Sequence, residues 1–215
     1  MRPRTEIIVL KYHVEEFEKR CFNHIIDKTL EETPYRLTFY DTRGMECHFS
    51  KIWNQLIKHS DCEWIVIMDS DAFIHTENWL GIMQDTYREH NASCVVPSID
   101  RNGSIIQRTR RGEGAFKTRD ATPVVGLYHK SIFEKVGYFD ESPEFAIFGQ
   151  DSEWMRRADE RGFTPVIQTN VFVEHIGNAS TMKASHEGKL NFAEENQKAN
   201  KRLNEVEHER ELSKK

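Results

Sequence analysis

The run Trp64-Ile-Val-Ile-Met-Asp-Ser-Asp-Ala-Phe-Ile74 carries five apolar residues without a break into Asp69-Ser70-Asp71. A short apolar run with β-branched residues that empties into acids reads as a buried central strand of a parallel sheet, ending at a site. On an extended chain Asp69 and Asp71 are i and i+2, so their carboxylates face one side. On a helix they would lie about 200° apart around the axis, and no pair would form. Convergent carboxylates repel unless a proton or a cation sits between them. An all-oxygen pair favours a hard ion such as Mg²⁺ or Mn²⁺, which commonly also binds phosphate. A strand ending in an ordinary polar turn accounts for the same residues, so the flanking sequence has to discriminate.

Working outward, Glu6–Lys11 and Tyr35–Tyr40 read as earlier strands, the second closing on Asp41-Thr-Arg-Gly44. Between them Phe17, Cys21, Ile25 and Ile26 recur at helical spacing, and Phe49, Ile52, Trp53, Leu56 and Ile57 mark a second helix. This βαβαβ order with short connections predicts an α/β fold with an open, mostly parallel sheet flanked by helices. Ligands of such sheets sit beyond the carboxyl ends of the strands, where Tyr12, His13, Asp41 and Asp69 all fall.

Downstream, Glu77–Glu89 reads as a helix, and Ala92–Pro97 and Pro123–His129 as strands. Residues 98–120 are polar and basic, with Arg101, Arg108, Arg110, Arg111, Lys117 and Arg119. Long aperiodic connections are often lids or binding loops, and clustered arginines suit a diphosphate or an anionic acceptor; a solvated charged hairpin is the competing account. Ser131–Val136 is a short helix ending at Gly137. Asp151 falls at the start of a further helix, where it could also be a simple N-cap. Val166–Val173 is the last strand and leads to Glu174-His175. From Ser185 the chain is strongly charged and reads as a surface helix with no chemistry of its own. The expected organisation is a catalytic domain over residues 1–184 and a charged helical C-terminal extension over 185–215.

The formal charge of −5 and pI near 6.1 give no global reason to expect nucleic acid or an anionic membrane. No run approaches the ~18 apolar residues of a membrane span, and the N-terminal apolar stretch is short for a secretory signal. Cys21, Cys47, Cys62 and Cys94 show no C-x-x-C spacing. Scattered thiols fit a reduced, cytoplasmic protein, in which the sequon at Asn178 carries no meaning.

The succession I-I-V-L-K, F-Y-D-T-R-G, W-I-V-I-M-D-S-D, G-Y-F-D-E, Q-D-S-E-W-M-R-R-A and V-E-H resembles a GT-A-fold glycosyltransferase of the family 2 type, from about Ile7 to Ser180. The resemblance implies a metal-dependent transferase that moves a sugar from a nucleotide-sugar donor, a UDP-sugar first among them, to an acceptor hydroxyl with inversion. It implies that Tyr12 and Asp41 line the nucleotide pocket, that His48 and Asn54 face its nucleotide side, and that Asp69 reaches the ribose or the metal. Asp71 would ligate Mn²⁺ or Mg²⁺ directly, His175 would complete the shell, Asp151 would be the catalytic base, and Asp140 would flank the acceptor. Arg108, Arg110 or Arg111 is expected to clamp the phosphates. The acceptor stays open between a glycan, a lipid-linked precursor, a protein side chain and an anionic acceptor such as modified nucleic acid. A hexosyl- or pentosyltransferase is expected.

Rival readings are a haloacid-dehalogenase-like phosphohydrolase and a GT-A-like binding module without activity. The first also runs an apolar strand into D-x-D, but its family wants Gly-Thr next, where Ala72-Phe73 stand, and wants the motif on the first strand.

Overall fold

The computed structural model describes residues 5–11, 14–31, 33–42, 48–177, 187–188 and 191–213. Strands β1 (Thr5–Lys11), β2 (Tyr35–Asp41), β3 (Trp64–Asp69), β4 (Ala72–Ile74), β5 (Val95–Ile99), β6 (Ala115–Lys117), β7 (Val125–His129) and β8 (Val166–His175) form one eight-stranded sheet. Its order is β2-β1-β3-β7-β5-β8-β4, with β6 pairing β8 off that path. The pairings β1–β2, β1–β3 and β5–β8 are parallel, while β7 runs antiparallel between β3 and β5. Strands β1, β2, β3, β5 and β8 therefore all point one way, and the sheet is mixed but mostly parallel in direction. Helices α1 (Glu15–Lys28), α2 (Phe49–His59), α3 (Trp79–His90), α4 (Ile105–Thr109), α5 (Ser131–Val136), α6 (Gln150–Glu160) and α7 (Phe192–Ser213) complete the described elements, with a 3-10 turn at Pro143–Phe145.

Alternation along the central strands divides the interior into two layers. On β3, Trp64, Val66 and Met68 join Ile7 and Val9 of β1 against Cys21 and Ile25 of α1 and Trp79, Leu80 and Met83 of α3. Ile65 and Ile67, with Ile8, face Trp53 and Ile57 of α2, Ile132 and Phe133 of α5, and Trp154, Met155 and Ala158 of α6. A strand buried on both faces needs the unbroken apolar run seen at Trp64–Met68, and each fully buried large side chain contributes ~1.5–3 kcal/mol. Trp79 and Trp154 anchor opposite faces, and each indole is satisfied: Trp79 Nε1 donates to Thr29 Oγ1 at 2.9 Å and Trp154 Nε1 to the Gly137 carbonyl at 2.7 Å.

Two elements were not read from the sequence. Ala72-Phe-Ile74 does not continue β3: the chain turns at Ser70-Asp71 and β4 pairs antiparallel with β8, setting Ala72 opposite His175. Residues 98–120 are not structureless either. Ser104 opens α4 with a reciprocal capping box, accepting from the Gln107 amide while the Gln107 side chain accepts from Ser104 N. The charged C-terminal helix is present as α7 and buries Ala199 and Leu203 against Phe145. Among the described residues no helix is long and apolar enough to cross a membrane.

Candidate functional site

A cleft of about 260 Å³ lies beyond the carboxyl ends of β1 and β3. That is just below the ~300–1,000 Å³ of small-molecule sites, so a nucleotide-sized ligand would fill it and extend past its mouth. Trp53, Ile67, Tyr128 and Phe139 give it apolar walls, and Lys11, Thr42 and Asn102 line it with polar groups. Asp69, Asp71, Asp151 and His175 all open into it.

The acids arrive from two directions. β3 ends at Asp69, whose amide donates to the Val124 carbonyl at 2.9 Å. The Ser70-Asp71 turn then folds Asp71 back beside it, so the pair forms across a turn and not along one extended strand. The β4–β8 pairing delivers the third group. His175 Nε2 stands 3.5 Å from Asp71 Oδ1 and 3.6 Å from Asp69 Oδ2, and one ligand atom from each residue lies within 4.8 Å of the others. Asp71 and His175 are buried, while half of the Asp69 side chain opens to the cleft. The Asp100 carboxylate accepts from the His175 backbone amide at 2.8 Å and so fixes the end of β8.

Withdrawal from bulk water and then the neighbouring Asp71 push the Asp69 carboxyl up, with the pull of His175 opposing them. At His175 burial disfavours the charged ring, but contact with Asp71 and the fields of Asp69 and Asp100 outweigh it, and its pKa ends above the ordinary value. Neither ring nitrogen has a hydrogen-bond partner within reach among the described residues. A buried imidazole unspent on hydrogen bonds and facing two carboxylates suits a divalent cation. The His175 nitrogen lies 3.5–3.6 Å from the two carboxylates and all three ligand atoms fall within 4.8 Å, near enough for one cation to be shared among them.

Asp151 comes from another quarter of the fold. Gly149 adopts φ 79°, a left-handed conformation that suits glycine, and turns the chain into α6. Asp151 thus stands in the first turn, its carboxylate accepting from Ser152 N at 2.8 Å. Burial raises its pKa above the usual carboxylate value, with the bonds to Ser152 acting against it. Gln150, beside it, also lines the cleft, and its side-chain oxygen has no partner among the described residues.

Other expected site residues lie elsewhere. Asn54 is consumed internally: its amide donates to the Phe139 carbonyl and to Glu141 Oε1, and its oxygen accepts from Phe139 N. It braces the segment behind the cleft instead of facing a nucleotide. Arg108, Arg110 and Arg111 are not on the cleft. Arg108 bonds the Gly103 carbonyl, Arg110 pairs with Glu113 at 3.0 Å, and Arg111 stacks on Phe172, because α4 packs toward β5 and β8. Asp140 caps Ser142 at 2.8 Å and borders a separate shallow depression with Arg157 and Arg210. His48 is buried at the start of α2, outside the cleft lining, with both ring nitrogens unpartnered among the described residues. Asp41 ends β2 opposite Lys11, and its neighbour Thr42 lines the cleft. Tyr12 lies outside the described residues.

Gln107 did not stand out in the sequence. It is fully buried, donates to the Pro97 and Thr122 carbonyls and accepts from Thr122 N, and so holds the 122–124 wall of the cleft. Its legible signal was the S-x-x-Q capping box beginning at Ser104. Asp100 carried no local signal, since only the β5–β8 pairing brings it to His175.

A model of the family described as glycosyl transferase family 2 matches residues 8–161. Among solved structures, one of GalNAc-T7 with UDP, GalNAc and Mn²⁺ superposes with a TM-score of 0.64 at 10% identity, over 80% of this chain and 43% of that one. A structure of S. aureus TarS, residues 1–349, superposes with a TM-score of 0.62 at 13% identity, over 91% of this chain and 69% of that one. This chain thus spans less than half the length of the former, and at these identities the likeness concerns the GT-A fold. No curated protein matches in sequence.

Proposed function

The chain belongs to glycosyl transferase family 2, and on that premise we propose that it transfers a sugar from a nucleotide-sugar donor to an acceptor hydroxyl, with a divalent cation and with inversion. The observation that carries the proposal is the meeting of Asp69, Asp71 and His175 in one cleft that Asp151 also lines. Membership sets aside the phosphohydrolase reading.

In the proposed site Asp69, Asp71 and His175 hold Mn²⁺ or Mg²⁺, which supplies positive charge where the departing diphosphate gains negative charge. The UDP and Mn²⁺ bound to GalNAc-T7 support a UDP-sugar and manganese as the first pair to test. Lys11 and Thr42 lie on the β1–β2 side of the cleft, where the nucleoside would rest. Asp151 lines the same cleft and accepts the acceptor's proton as its oxygen attacks the sugar carbon. Burial raises the pKa of Asp151, and a carboxylate with a raised pKa is a stronger base than an exposed one. Trp53, Tyr128 and Phe139 restrict water around the reacting atoms, which strengthens each charge interaction there.

A thermal-shift screen of nucleotide-sugars with and without Mn²⁺ tests this reading. Stabilisation by one nucleotide class that needs the metal, and that disappears in Asp71→Asn, is expected. Equal stabilisation of the Asp71→Asn variant would sink the metal assignment. Binding without turnover in any acceptor mixture would favour the inactive binding module.

A further inference from the structure

The stretch 145–151 that carries Asp151 has an outer support. Helix α7 lies against it from behind: Leu203 Cδ1 and the Ala199 methyl come so close to Gly149 that a Cβ there would meet each at 3.3 Å. The Phe192 ring stands edge-on to Phe148 at 5.0 Å. Phe148, Gly149, Gln150 and Asp151 line the cleft on their other side. One turn into α6, the almost fully buried Glu153 accepts from Arg157 at 2.8 Å and from Arg210 of α7 at 2.5 Å. Arg157 also donates to the Val136 and Tyr138 carbonyls, next to cleft-lining Phe139. One buried carboxylate therefore ties α7, the helix of Asp151 and the Phe139 wall together.

We propose that α7 is a positioning element for catalysis, and that Arg210 and Leu203 hold the 145–151 segment so that Asp151 meets the acceptor. This deepens the transferase reading and rests on it for the role of Asp151. The metal-and-donor half of the site is built on β1, β3, β4 and β8, none of which carries the Glu153 link. Loosening α7 therefore acts on proton transfer and acceptor approach and spares donor binding. Small displacements of a reacting group are costly: about 1 Å can lower a rate ~100-fold.

Arg210→Ala and Leu203→Ala cut the two supports separately, and Arg210→Lys restores a cation. Amide exchange over 145–151, UDP binding with Mn²⁺, and hydrolysis of UDP-glucose and UDP-N-acetylglucosamine, with water as acceptor, are the measurements. The expected result is faster exchange confined to 145–151, with UDP affinity and donor KM unchanged. In the same variants kcat falls ~10-fold or more and recovers in part in Arg210→Lys. Unchanged exchange over 145–151 in both alanine variants overturns the proposal. So does faster exchange throughout the sheet, or a loss of UDP binding as large as the loss of kcat. Asp151→Asn separates the two claims. Undiminished hydrolysis there removes the base role alone, while the exchange result still decides whether α7 holds the segment.

Discussion

At the scale of single residues, the site is a set of charges that the fold holds in tension. Asp69 has its pKa raised by withdrawal from bulk water and by Asp71, and His175 has its pKa raised by the acids it faces. In both cases the folded protein binds protons more tightly than the unfolded chain, so this part of its stability is full at low pH and fades as pH rises through the raised values. A divalent cation held by Asp69, Asp71 and His175 would compete for the same places. The stabilisation by Mn²⁺ should therefore grow between about pH 5 and about pH 8 while the metal-free melting temperature drifts down. Melting curves with and without Mn²⁺ across that range check both slopes, and a pH-independent gain would mean the ion binds elsewhere. Asp151→Asn should leave this gain intact and lower sugar transfer ~100-fold or more. Transfer rates beside UDP affinity for that variant test it, and surviving transfer would return Asp151 to a helix-start residue. The acids and His175 were legible because each ends or follows a strand of plain pattern. Asn54 and the arginines were not, because whether a polar residue faces the cleft or the interior depends on packing that no local pattern encodes.

Secondary elements show the same division. The long strands and amphipathic helices follow from periodicity, since a two-faced strand and a one-faced helix leave different apolar patterns. Strand β4 does not, because Ala72-Phe-Ile74 is as apolar as β3 and only the reversal at Ser70-Asp71 separates them. That reversal is what lets β8 carry His175 to the acids, so the least legible element completes the best-supported cluster. Helix α4 is the other case. Its five residues are too few for periodicity, yet Gln107 within it satisfies Ser104, Pro97 and Thr122. Gln107→Ala strips these groups of their partner inside the protein, and each buried polar group left unpaired costs ~1–3 kcal/mol. The expected loss is about 3 kcal/mol of unfolding free energy, with weakened donor binding, because the Val124 carbonyl that receives the Asp69 amide lies on the wall Gln107 supports. Urea titration and UDP binding in the presence of Mn²⁺ check the pair. A stability loss without any change in binding would confine Gln107 to α4.

For the whole molecule, the two layers of the sheet differ in what they carry. The face covered by α1 and α3 buries Trp79, and the face covered by α2, α5 and α6 buries Trp154. Both indoles are fully enclosed, so truncation of either to alanine should cost ~3–5 kcal/mol. Their consequences for function should still differ. Trp154 packs among Tyr128, Phe133 and Phe139, and its Nε1 holds the Gly137 carbonyl. Tyr128 and Phe139 line the cleft, and Trp154 is on the helix of Asp151. Trp79 bonds Thr29 at the end of α1, on the layer away from the helix of Asp151. Trp154→Ala should therefore lower the turnover of the molecules that remain folded, whereas Trp79→Ala should lower only their number. Measuring turnover well below each melting temperature, scaled to the folded fraction from denaturant curves, separates the two effects. Equal losses per folded molecule would mean that the sheet transmits a packing defect from either side. Retained turnover in Trp79→Ala alone would place catalytic geometry in the α2–α5–α6 layer and leave the other layer a foundation.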